Sequence, residues 1–281
     1  MRDRFLTGLI GYPIAHSAAP AMHEQAATVL GVHCHYQLIE VAAAGRDDLR
    51  AMLDGVRRLG FAGVNVTFPY KEAVVELLDE LTPDARAIGA VNTIVVDGPR
   101  LVGHNTDATG FARAIEPLLA TTPRGAIALI GAGGVGKAIG FALAGLGVGD
   151  IRIFDAEPAR AAQLARQLQG GVAVRSIAAA VEGAAGLINA TPVGMLPSLA
   201  SPVPDELLHP SMWVADAVYT PLWTPLLTAA KATGAAVLTG RDLAINAAAD
   251  AFALFTGMTP SPDVMGIAFD AVMAKRYASP A

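Results

Sequence analysis

Short apolar runs alternate with amphipathic runs along most of the chain. The apolar runs are rich in valine, isoleucine and leucine and predict β-strands at residues 5–11, 34–41, 61–67, 126–131, 150–155, 186–191, 213–219 and 235–240. Runs with helical periodicity lie at residues 21–31, 46–60, 71–81 and 108–120, and two further helices, 242–257 and 262–278, follow the last strand. Strands that alternate with helices predict βαβ units, so we expect an α/β fold with largely parallel pairing.

The composition narrows the class of protein. The chain has 281 residues, of which 53% are apolar and 16% charged, so we expect about two folded domains rather than disorder. A net charge of −5 offers no basic surface for nucleic acid or an anionic membrane. The single cysteine, Cys34, favours a reducing compartment. The apolar run before Pro13 is too short for a signal peptide, and the glycine-rich stretch 125–151 divides into strand, turn and helix. These features predict a cytoplasmic protein with no membrane partner.

A glycine-rich turn joins the strand at residues 126–131 to a helix. Gly131, Gly133 and Gly136 form a G-x-G-x-x-G pattern directly after the apolar run and at the start of the helix. Glycines there allow the tight turn, the close approach of the backbone to a pyrophosphate, and packing of the helix on the strand. The N–H groups of the helix N-terminus then face the phosphates. The pattern predicts a dinucleotide-binding loop.

An acidic residue ends the next strand, at the position that contacts the ribose in such folds. Asp155 lies 19 positions after Gly136, close to the usual spacing of about 20. Its carboxylate would accept hydrogen bonds from ribose hydroxyls and repel a 2′-phosphate. The neighbours Ala156 and Glu157 provide no cation, and Arg160 is the nearest one. The sequence therefore favours NAD, with NADP possible.

Polar residues suited to chemistry cluster in the first half of the chain. Asn65 and Thr67 are two apart on a predicted strand and so share a face. Lys71 follows at the start of a predicted helix, where a cation is unfavourable on dipole grounds. Asn92 and Asp107 come later. Singly, each has an ordinary structural explanation: the asparagines cap turns, the lysine is a solvated surface residue, and the aspartate is a helix N-cap.

Several motifs occur together in one order along nearly the whole chain: "GYPIAHS", "GVNVTFPYK", "GAVNTIV", "GHNTDATGF", "GAGGVGKA", "INATPVGM" and "DAVYTPLWTPLL". In this order they resemble the shikimate/quinate dehydrogenase family (shikimate 5-dehydrogenase-like proteins). The resemblance implies an N-terminal α/β substrate-binding domain, residues 1–105 with 241–281, and an inserted Rossmann domain, residues 106–240, with a cleft between them. It also implies reversible hydride transfer between a nicotinamide cofactor and a hydroxyl of shikimate or quinate.

The resemblance also implies roles for particular residues. Lys71 and Asp107 would be the catalytic pair. The substrate would be contacted by Ser17, Asn65, Thr67, Asn92 and Tyr219. The cofactor site would be lined by Gly131, Ala132, Gly133, Gly134, Val135, Gly136, Asp155, Thr191, Met195 and Gly240. A base near the carbinol is required because the hydroxyl proton must leave with the hydride, and a charged lysine can stabilise the developing alkoxide.

Two positions depart from the pattern of this family. The stretch "HSAAPAMHE" keeps Ser17, which is either a helix cap before Pro20 or a contact to the substrate carboxylate, but Ala19 replaces a second serine and Glu24 stands where asparagine is common. Ala247 occupies the place of a glutamine that contacts a substrate hydroxyl, with Asn246 one position earlier. We interpret Ser17 as a retained ligand contact in a pocket altered toward weaker shikimate binding, quinate or a related acid.

Other candidate sites have weaker support. On a strand Cys34 points away from His33 and His35, so these three cannot form a metal site, and we expect no metal. His16 beside Ser17 lacks a third partner for a nucleophile, and His104 is expected at a strand end. Two alternatives stay open: a catalytically silent dinucleotide-binding relative, and a dehydrogenase for a different cyclic hydroxy acid. We expect a monomer or homodimer that binds a small cyclic hydroxy acid.

Overall fold

The computed structural model describes residues 3–278, which divide into two compact units. The first unit runs to Thr106 and resumes at Ile245, and the second is Asp107–Ala244. Each unit contains a six-stranded sheet. No helix within residues 3–278 is both long and apolar enough to cross a bilayer.

The first unit is a mixed sheet with helices. Its elements are β1 (Arg4–Gly11), α1 (Ala19–Val29), β2 (His33–Glu40), α2 (Arg46–Arg58), β3 (Gly63–Val66), a 3₁₀ turn (Val75–Leu77), β4 (Glu80–Leu81), α3 (Pro83–Ile88), β5 (Thr93–Asp97) and β6 (Arg100–His104). The strand order is β2-β1-β3-β5-β6-β4. The strands β2, β1 and β3 are parallel, as expected, whereas β5 runs antiparallel to both β3 and β6. The hairpin of β5 and β6 therefore interrupts an otherwise parallel arrangement.

The predicted helix at residues 71–81 is wrong. After Lys71 the chain makes successive turns, a single 3₁₀ turn and then the short strand β4. The N–H groups of Asp79 and Thr82 donate to backbone carbonyls of β6 at 3.1 and 3.0 Å, so pairing with the sheet replaces helical hydrogen bonds. Thr82 is also extended, as a residue before proline prefers to be. Lys71 therefore does not lie at a helix N-terminus.

The helix of this region starts later, at Pro83. Thr82 caps α3 by accepting a hydrogen bond from the N–H of Ala85 at 3.3 Å, and Pro83 occupies the first helical turn. Gly89 ends the helix with φ of 67°, a conformation that side chains disfavour. The start and stop signals of this short helix are both present in the sequence "TPDARAIG".

The second unit is a doubly wound parallel sheet. Its elements are α4 (Thr106–Thr121), β7 (Ile127–Ile130), α5 (Gly134–Gly145), β8 (Ile151–Phe154), α6 (Pro158–Gln167), β9 (Gly171–Ala173), α7 (Ile177–Val181), β10 (Gly186–Asn189), a 3₁₀ turn (Asp205–Leu207), β11 (Trp213–Asp216), α8 (Pro225–Thr233) and β12 (Ala236–Leu238). The strand order β9-β8-β7-β10-β11-β12 places the first strand of the unit at the centre, which is the Rossmann order. The strand after α4 thus begins the nucleotide-binding topology that the glycine pattern predicts.

Two helices follow β12: α9 (Gly240–Thr256) and α10 (Pro262–Ala278). Both were predicted, and α9 starts in the second unit and continues into the first. In the first unit the ring of Phe255 packs so tightly on β3 that a Cβ at Gly63 would lie 2.4 Å from it. Leu49, Leu53 and Val56 of α2 are buried with another part of the same sheet. The first sheet is thus supported by helices from both ends of the chain.

Candidate active site

The glycine-rich loop between β7 and α5 has the geometry of a phosphate-binding turn. Gly131 has φ of 104°, a left-handed conformation that side chains rarely adopt. A Cβ on Gly136 would lie 2.0 Å from the carbonyl oxygen of Gly131, so α5 can approach β7 only with glycine there. Gly133 caps α5, and a Cβ on it would meet no atom within 4 Å. The loop therefore leaves open space in front of the N-terminus of α5, where an anion binds favourably.

The carboxylate of Asp155 braces this loop from the end of β8. Its Oδ2 accepts a hydrogen bond from the N–H of Ala132 at 2.7 Å, and its Oδ1 accepts one from the N–H of Glu157 at 2.8 Å. Asp155 is partly exposed and Ala156 is exposed. The guanidinium of Arg160 lies 4.0 Å from the carboxylate of Glu157. The carboxylate of Asp155 therefore holds the glycine-rich loop by hydrogen bonds and is also partly exposed to solvent.

A buried network connects the ends of β10 and β11. The Oδ1 of Asn189 accepts hydrogen bonds from the N–H and the hydroxyl of Thr191 at 3.0 and 2.7 Å. The amide nitrogen of Asn189 donates to Asp216 at 2.9 Å, and Asp216 also accepts from Thr224 and from the N–H of Val218. The network thus fixes the loop that carries Thr191 and the loop that carries Tyr219.

Asp216 was missed by the sequence reasoning. Its carboxyl is 3% exposed, and burial raises its pKa to about 7, although the three hydrogen bonds from Thr224, Val218 and Asn189 each favour the ionised form. An acid at the end of an apolar strand, in "WVADAVY", was the available signal. Its position indicates a structural role in holding two loops at the carboxyl edge of the parallel sheet.

The remaining expected cofactor residues lie at the same carboxyl edge. Gly134 and Val135 lie in the first turn of α5, and Met195 lies in the loop after β10. Gly240 begins α9, and a Cβ there would lie 2.7 Å from the carbonyl oxygen of Ala217, so glycine is required by packing beneath the loop after β11. In an open parallel sheet this edge is where ligands bind.

In the first unit, Asn65 lies on β3 in a set of side-chain hydrogen bonds. Its Oδ1 accepts from the Tyr36 hydroxyl at 2.8 Å, and its Nδ2 donates to the Asn92 carbonyl at 3.1 Å and to the Thr93 hydroxyl at 2.9 Å. Thr67 lies just beyond the end of β3 rather than within it, although its N–H still bonds to β1 at 2.9 Å. The structure therefore brings Asn65 and Asn92 together.

Asn92 is held by the start of α4. Its Oδ1 accepts from the N–H of Thr106 at 2.7 Å, and its Nδ2 donates to the Thr106 hydroxyl at 3.0 Å. Asn92 and Thr106 are 6% and 4% exposed. Asp107 is also buried and lies in the first turn of α4, where a carboxylate is favourable. Lys71 is half-buried, and its carbonyl accepts from the N–H of Val91 at 2.8 Å, which fixes its backbone beside Asn92.

Ser17 lies in the alanine-rich loop before α1, one position outside the N-cap of the helix. The N-cap of α1 is Ala18, which makes no side-chain cap, and the Ser17 hydroxyl accepts a hydrogen bond from the N–H of Ala19 at 3.2 Å. Ser17 therefore supports the first turn from one position outside the helix and keeps its O–H to donate. Glu24 accepts from the N–H of Tyr36 at 3.0 Å, so it ties α1 to β2.

Comparisons with known proteins agree with this architecture. A family model described as the shikimate dehydrogenase substrate binding domain matches residues 9–94, and one described as an F420-dependent NADP oxidoreductase matches residues 126–215. A shikimate dehydrogenase (NADP(+)) of Streptomyces avermitilis is 43% identical over 92% of each chain. A quinate/shikimate dehydrogenase (NAD(+)) of Corynebacterium efficiens is 42% identical over 95% of this chain and 98% of that one. The chain belongs to the shikimate/quinate dehydrogenase family.

A solved structure supports the same assignment. Quinate dehydrogenase from Corynebacterium glutamicum in complex with NAD is 39% identical and gives a TM-score of 0.88, covering 96% of this chain and 100% of that one. The family resemblance and the α/β fold class with a Rossmann unit are thus confirmed, and the relatives are named as dehydrogenases. No comparison favours a catalytically silent relative. Both NAD and NADP occur among the names of the relatives.

Proposed function

We propose that this protein is an NAD(P)-dependent oxidoreductase that interconverts shikimate and 3-dehydroshikimate, or quinate and 3-dehydroquinate, by hydride transfer. The observation that carries the proposal is near end-to-end identity of 42–43% with relatives named for this activity. The glycine-rich loop in front of α5 supplies the matching chemistry, because it presents open space and helix N–H groups to a pyrophosphate.

The second unit would hold the cofactor. The dinucleotide, when bound, supplies or accepts the hydride. The pyrophosphate would lie against residues 131–136, and Asp155 would accept hydrogen bonds from the ribose hydroxyls. Thr191, Met195 and Gly240 would line the site at the carboxyl edge of the sheet. Support comes from the open space at Gly133 and from the fixed loops after β10 and β11.

Lys71 with Asp107 would act as the catalytic pair on the substrate. A lysine near a carboxylate can take the hydroxyl proton and, when charged, stabilise the alkoxide that forms as hydride leaves. The ring substituents would be contacted by Ser17, Asn65, Thr67, Asn92 and Tyr219. The burial of Asn92 and Asp107 supports this role, because groups shielded from water interact more strongly with a ligand.

NAD is the preferred cofactor in this proposal. Asp155 follows β8 without a cation next to it in the sequence, and the guanidinium of Arg160 lies 4.0 Å from the carboxylate of Glu157. A 2′-phosphate would meet two carboxylates at this strand end, which is unfavourable. Relatives at similar identity carry either NAD(+) or NADP(+) in their names.

The substrate pocket differs from the usual family pattern at two positions. Ala19 and Ala247 offer no side-chain hydrogen bonds, and Ala247 is buried on α9. A pocket with fewer donors would bind shikimate weakly or prefer quinate or a related acid. We expect the protein to work in the cytoplasm as a monomer or homodimer.

A substrate panel tests the proposal. Purified protein is mixed with NAD or NADP and with shikimate, quinate or a hydroxy acid that lacks a ring, and the absorbance of reduced nicotinamide is followed. Turnover of a ring acid, with the open-chain acid inactive, supports the proposal. Binding of the dinucleotide without turnover of either ring acid would contradict it.

A further inference from the structure

The hydrogen bonds of Asn65 fix which way its amide points. The carbonyl oxygen of Asn92 lies 3.1 Å from one end of the amide, and a carbonyl oxygen can only accept. The nitrogen of Asn65 must therefore occupy that end. Its second N–H donates to the hydroxyl of Thr93 at 2.9 Å. Both N–H groups of Asn65 are thus used within the protein.

The opposite end of the amide carries the oxygen. It accepts one hydrogen bond, from the Tyr36 hydroxyl at 2.8 Å. An amide oxygen has two lone pairs, so it can accept a second. Whatever ligand group meets Asn65 must therefore donate a hydrogen bond. A hydroxyl can do so, whereas the oxygen of a carboxylate or carbonyl would be repelled.

Thr93 joins this amide to that of Asn92. Its side chain is fully buried, its hydroxyl accepts from Asn65, and the hydroxyl oxygen lies 3.1 Å from the Oδ1 of Asn92. A hydroxyl has one hydrogen, and that of Thr93 can be donated to the Oδ1 of Asn92 or to the hydroxyl of Thr106, which lies 3.2 Å away. Thr93 thus links the two amides, whose orientations are fixed by the Asn92 carbonyl for Asn65 and by the N–H of Thr106 for Asn92.

Tyr36 reaches Asn65 across a strand. It lies on β2, whereas Asn65 lies on β3, and β1 is between them in the sheet. The phenol is 3% exposed, and its ring packs on that of His23 with centroids 4.5 Å apart. Burial lowers the pKa of His23 to about 3, so the ring beside Tyr36 is neutral. The phenol therefore has little freedom to turn away from Asn65.

We propose that Tyr36 and Thr93 are positioning residues that present the Asn65 oxygen to a substrate hydroxyl, one other than the hydroxyl that is oxidised. This makes the site selective for a ring that carries a donor at that position. The inference rests on the proposed function, because it takes Asn65 as a substrate contact.

The test removes single hydroxyl groups without changing shape. Tyr36→Phe and Thr93→Val should each raise the KM for the ring acid about tenfold, the worth of one hydrogen bond. The kcat should change little, because a contact to a non-reacting hydroxyl is equal in ground and transition states. The KM for NAD should stay the same, and Thr93→Ser should restore the KM for the acid.

Thr7→Val is the matched control. Thr7 is a fully buried threonine in the same sheet, and its hydroxyl lies 3.3 Å from the sulfur of Cys34 rather than near Asn65. This variant should lose thermal stability as Thr93→Val does, yet keep the KM for the acid. An unchanged KM in Thr93→Val and Tyr36→Phe would overturn the inference, as would a Thr7→Val variant with an equally raised KM.

Substrate analogues test the donor requirement. In a deoxyfluoro analogue one hydroxyl is replaced by fluorine, which cannot donate. When the replaced hydroxyl is the one that Asn65 recognises, the fluoro analogue and Asn65→Ala should each lower kcat/KM. The two changes combined should then lower kcat/KM by less than the product of their separate effects. Additive losses at every hydroxyl would overturn the inference. A wild-type protein without turnover of shikimate or quinate would contradict the proposed function itself, whereas a working wild type with additive losses contradicts this inference alone.

Discussion

The cofactor preference can be moved through Asp155, and the structure sets the size of the effect. The perturbation is Asp155→Asn together with Ala156→Arg. An asparagine keeps one oxygen and places an NH₂ group where the carboxylate accepts from Ala132 at 2.7 Å or from Glu157 at 2.8 Å. The proposed hydrogen bonds from the ribose hydroxyls also lose their charged acceptor, and one charge-assisted hydrogen bond is worth about 1.5–3 kcal/mol. The kcat/KM for NAD should therefore fall roughly ten- to a hundredfold.

The effect on NADP has the opposite sign. Removing the charge of Asp155 relieves repulsion of the 2′-phosphate, and an arginine at the exposed position 156 can pair with it. The ratio of NADP to NAD efficiency should rise by roughly two orders of magnitude or more. The absolute efficiency with NADP should stay below that of the wild type with NAD, because residue 155 also loses one of its hydrogen bonds to the N–H groups of Ala132 and Glu157.

The assay is steady-state kcat/KM for both dinucleotides at saturating acid. Asp205→Asn is the control, since Asp205 is an exposed acid in the same unit on a 3₁₀ turn. It should leave the ratio of the two efficiencies unchanged. A double variant with an unchanged ratio would show that Asp155 does not set the cofactor preference. A wild type that prefers NADP would also contradict this role and would point to Arg160 or another residue as the phosphate contact.

Further predictions concern catalysis, the pocket and stability. Lys71→Ala should lower turnover by roughly two to four orders of magnitude while the NAD dissociation constant is kept, and near-normal turnover would remove Lys71 from the mechanism. Ala19→Ser and Ala247→Gln should each raise kcat/KM for shikimate, and the two changes together should raise it more than either alone. If the wild type has a micromolar KM for shikimate and neither change improves it, the two alanines do not weaken shikimate binding. The pKa of Asp216 is about 7 in the folded protein against 3.8 as its ordinary value, so the carboxyl stabilises the fold most below pH 3.8 and this contribution is lost as the pH rises toward 7. In denaturant unfolding, Asp216→Asn should gain stability relative to wild type between pH 4 and pH 8, and a pH-independent difference would contradict the assigned pKa.

The nucleotide loop could be predicted from the sequence because its requirements are local. The positive φ of Gly131 and the contact of Gly136 with its carbonyl arise within six residues. The spacing to Asp155 is set by one helix and one strand. The additional hydrogen bond from Ala132 to Asp155 was not predictable, because its geometry depends on how β7 and β8 pair.

The region after Lys71 shows where local patterns fail. Its apolar residues repeat with a helical period, but the backbone of β4 pairs with β6, some 20 residues later in the chain. A long-range strand pairing of this kind leaves no mark in the periodicity. The contact of Tyr36 with Asn65 is similar, because the two residues are 29 positions apart and belong to strands that are not neighbours.

Polar residues inside apolar runs indicate buried hydrogen-bond networks. Thr93 and Asp216 both lie in or at the end of buried strands. Thr93 bonds the candidate residue Asn65, and Asp216 bonds Asn189, which accepts from the candidate residue Thr191. A buried polar group needs partners, so each such residue indicates a network before the structure is known. The identity of the partners comes only from the fold.

The stoichiometry of a single reaction tests whether this protein works as a dehydrogenase for a ring hydroxy acid. Protein, NAD and quinate or shikimate are incubated, and the reduced nicotinamide is measured by absorbance while the acid is measured by mass spectrometry. We expect one molecule of reduced cofactor for each molecule of acid that has lost two hydrogens, and no product with Lys71→Ala on the same timescale. Retention of NAD binding with no dehydro acid formed from either substrate would contradict it.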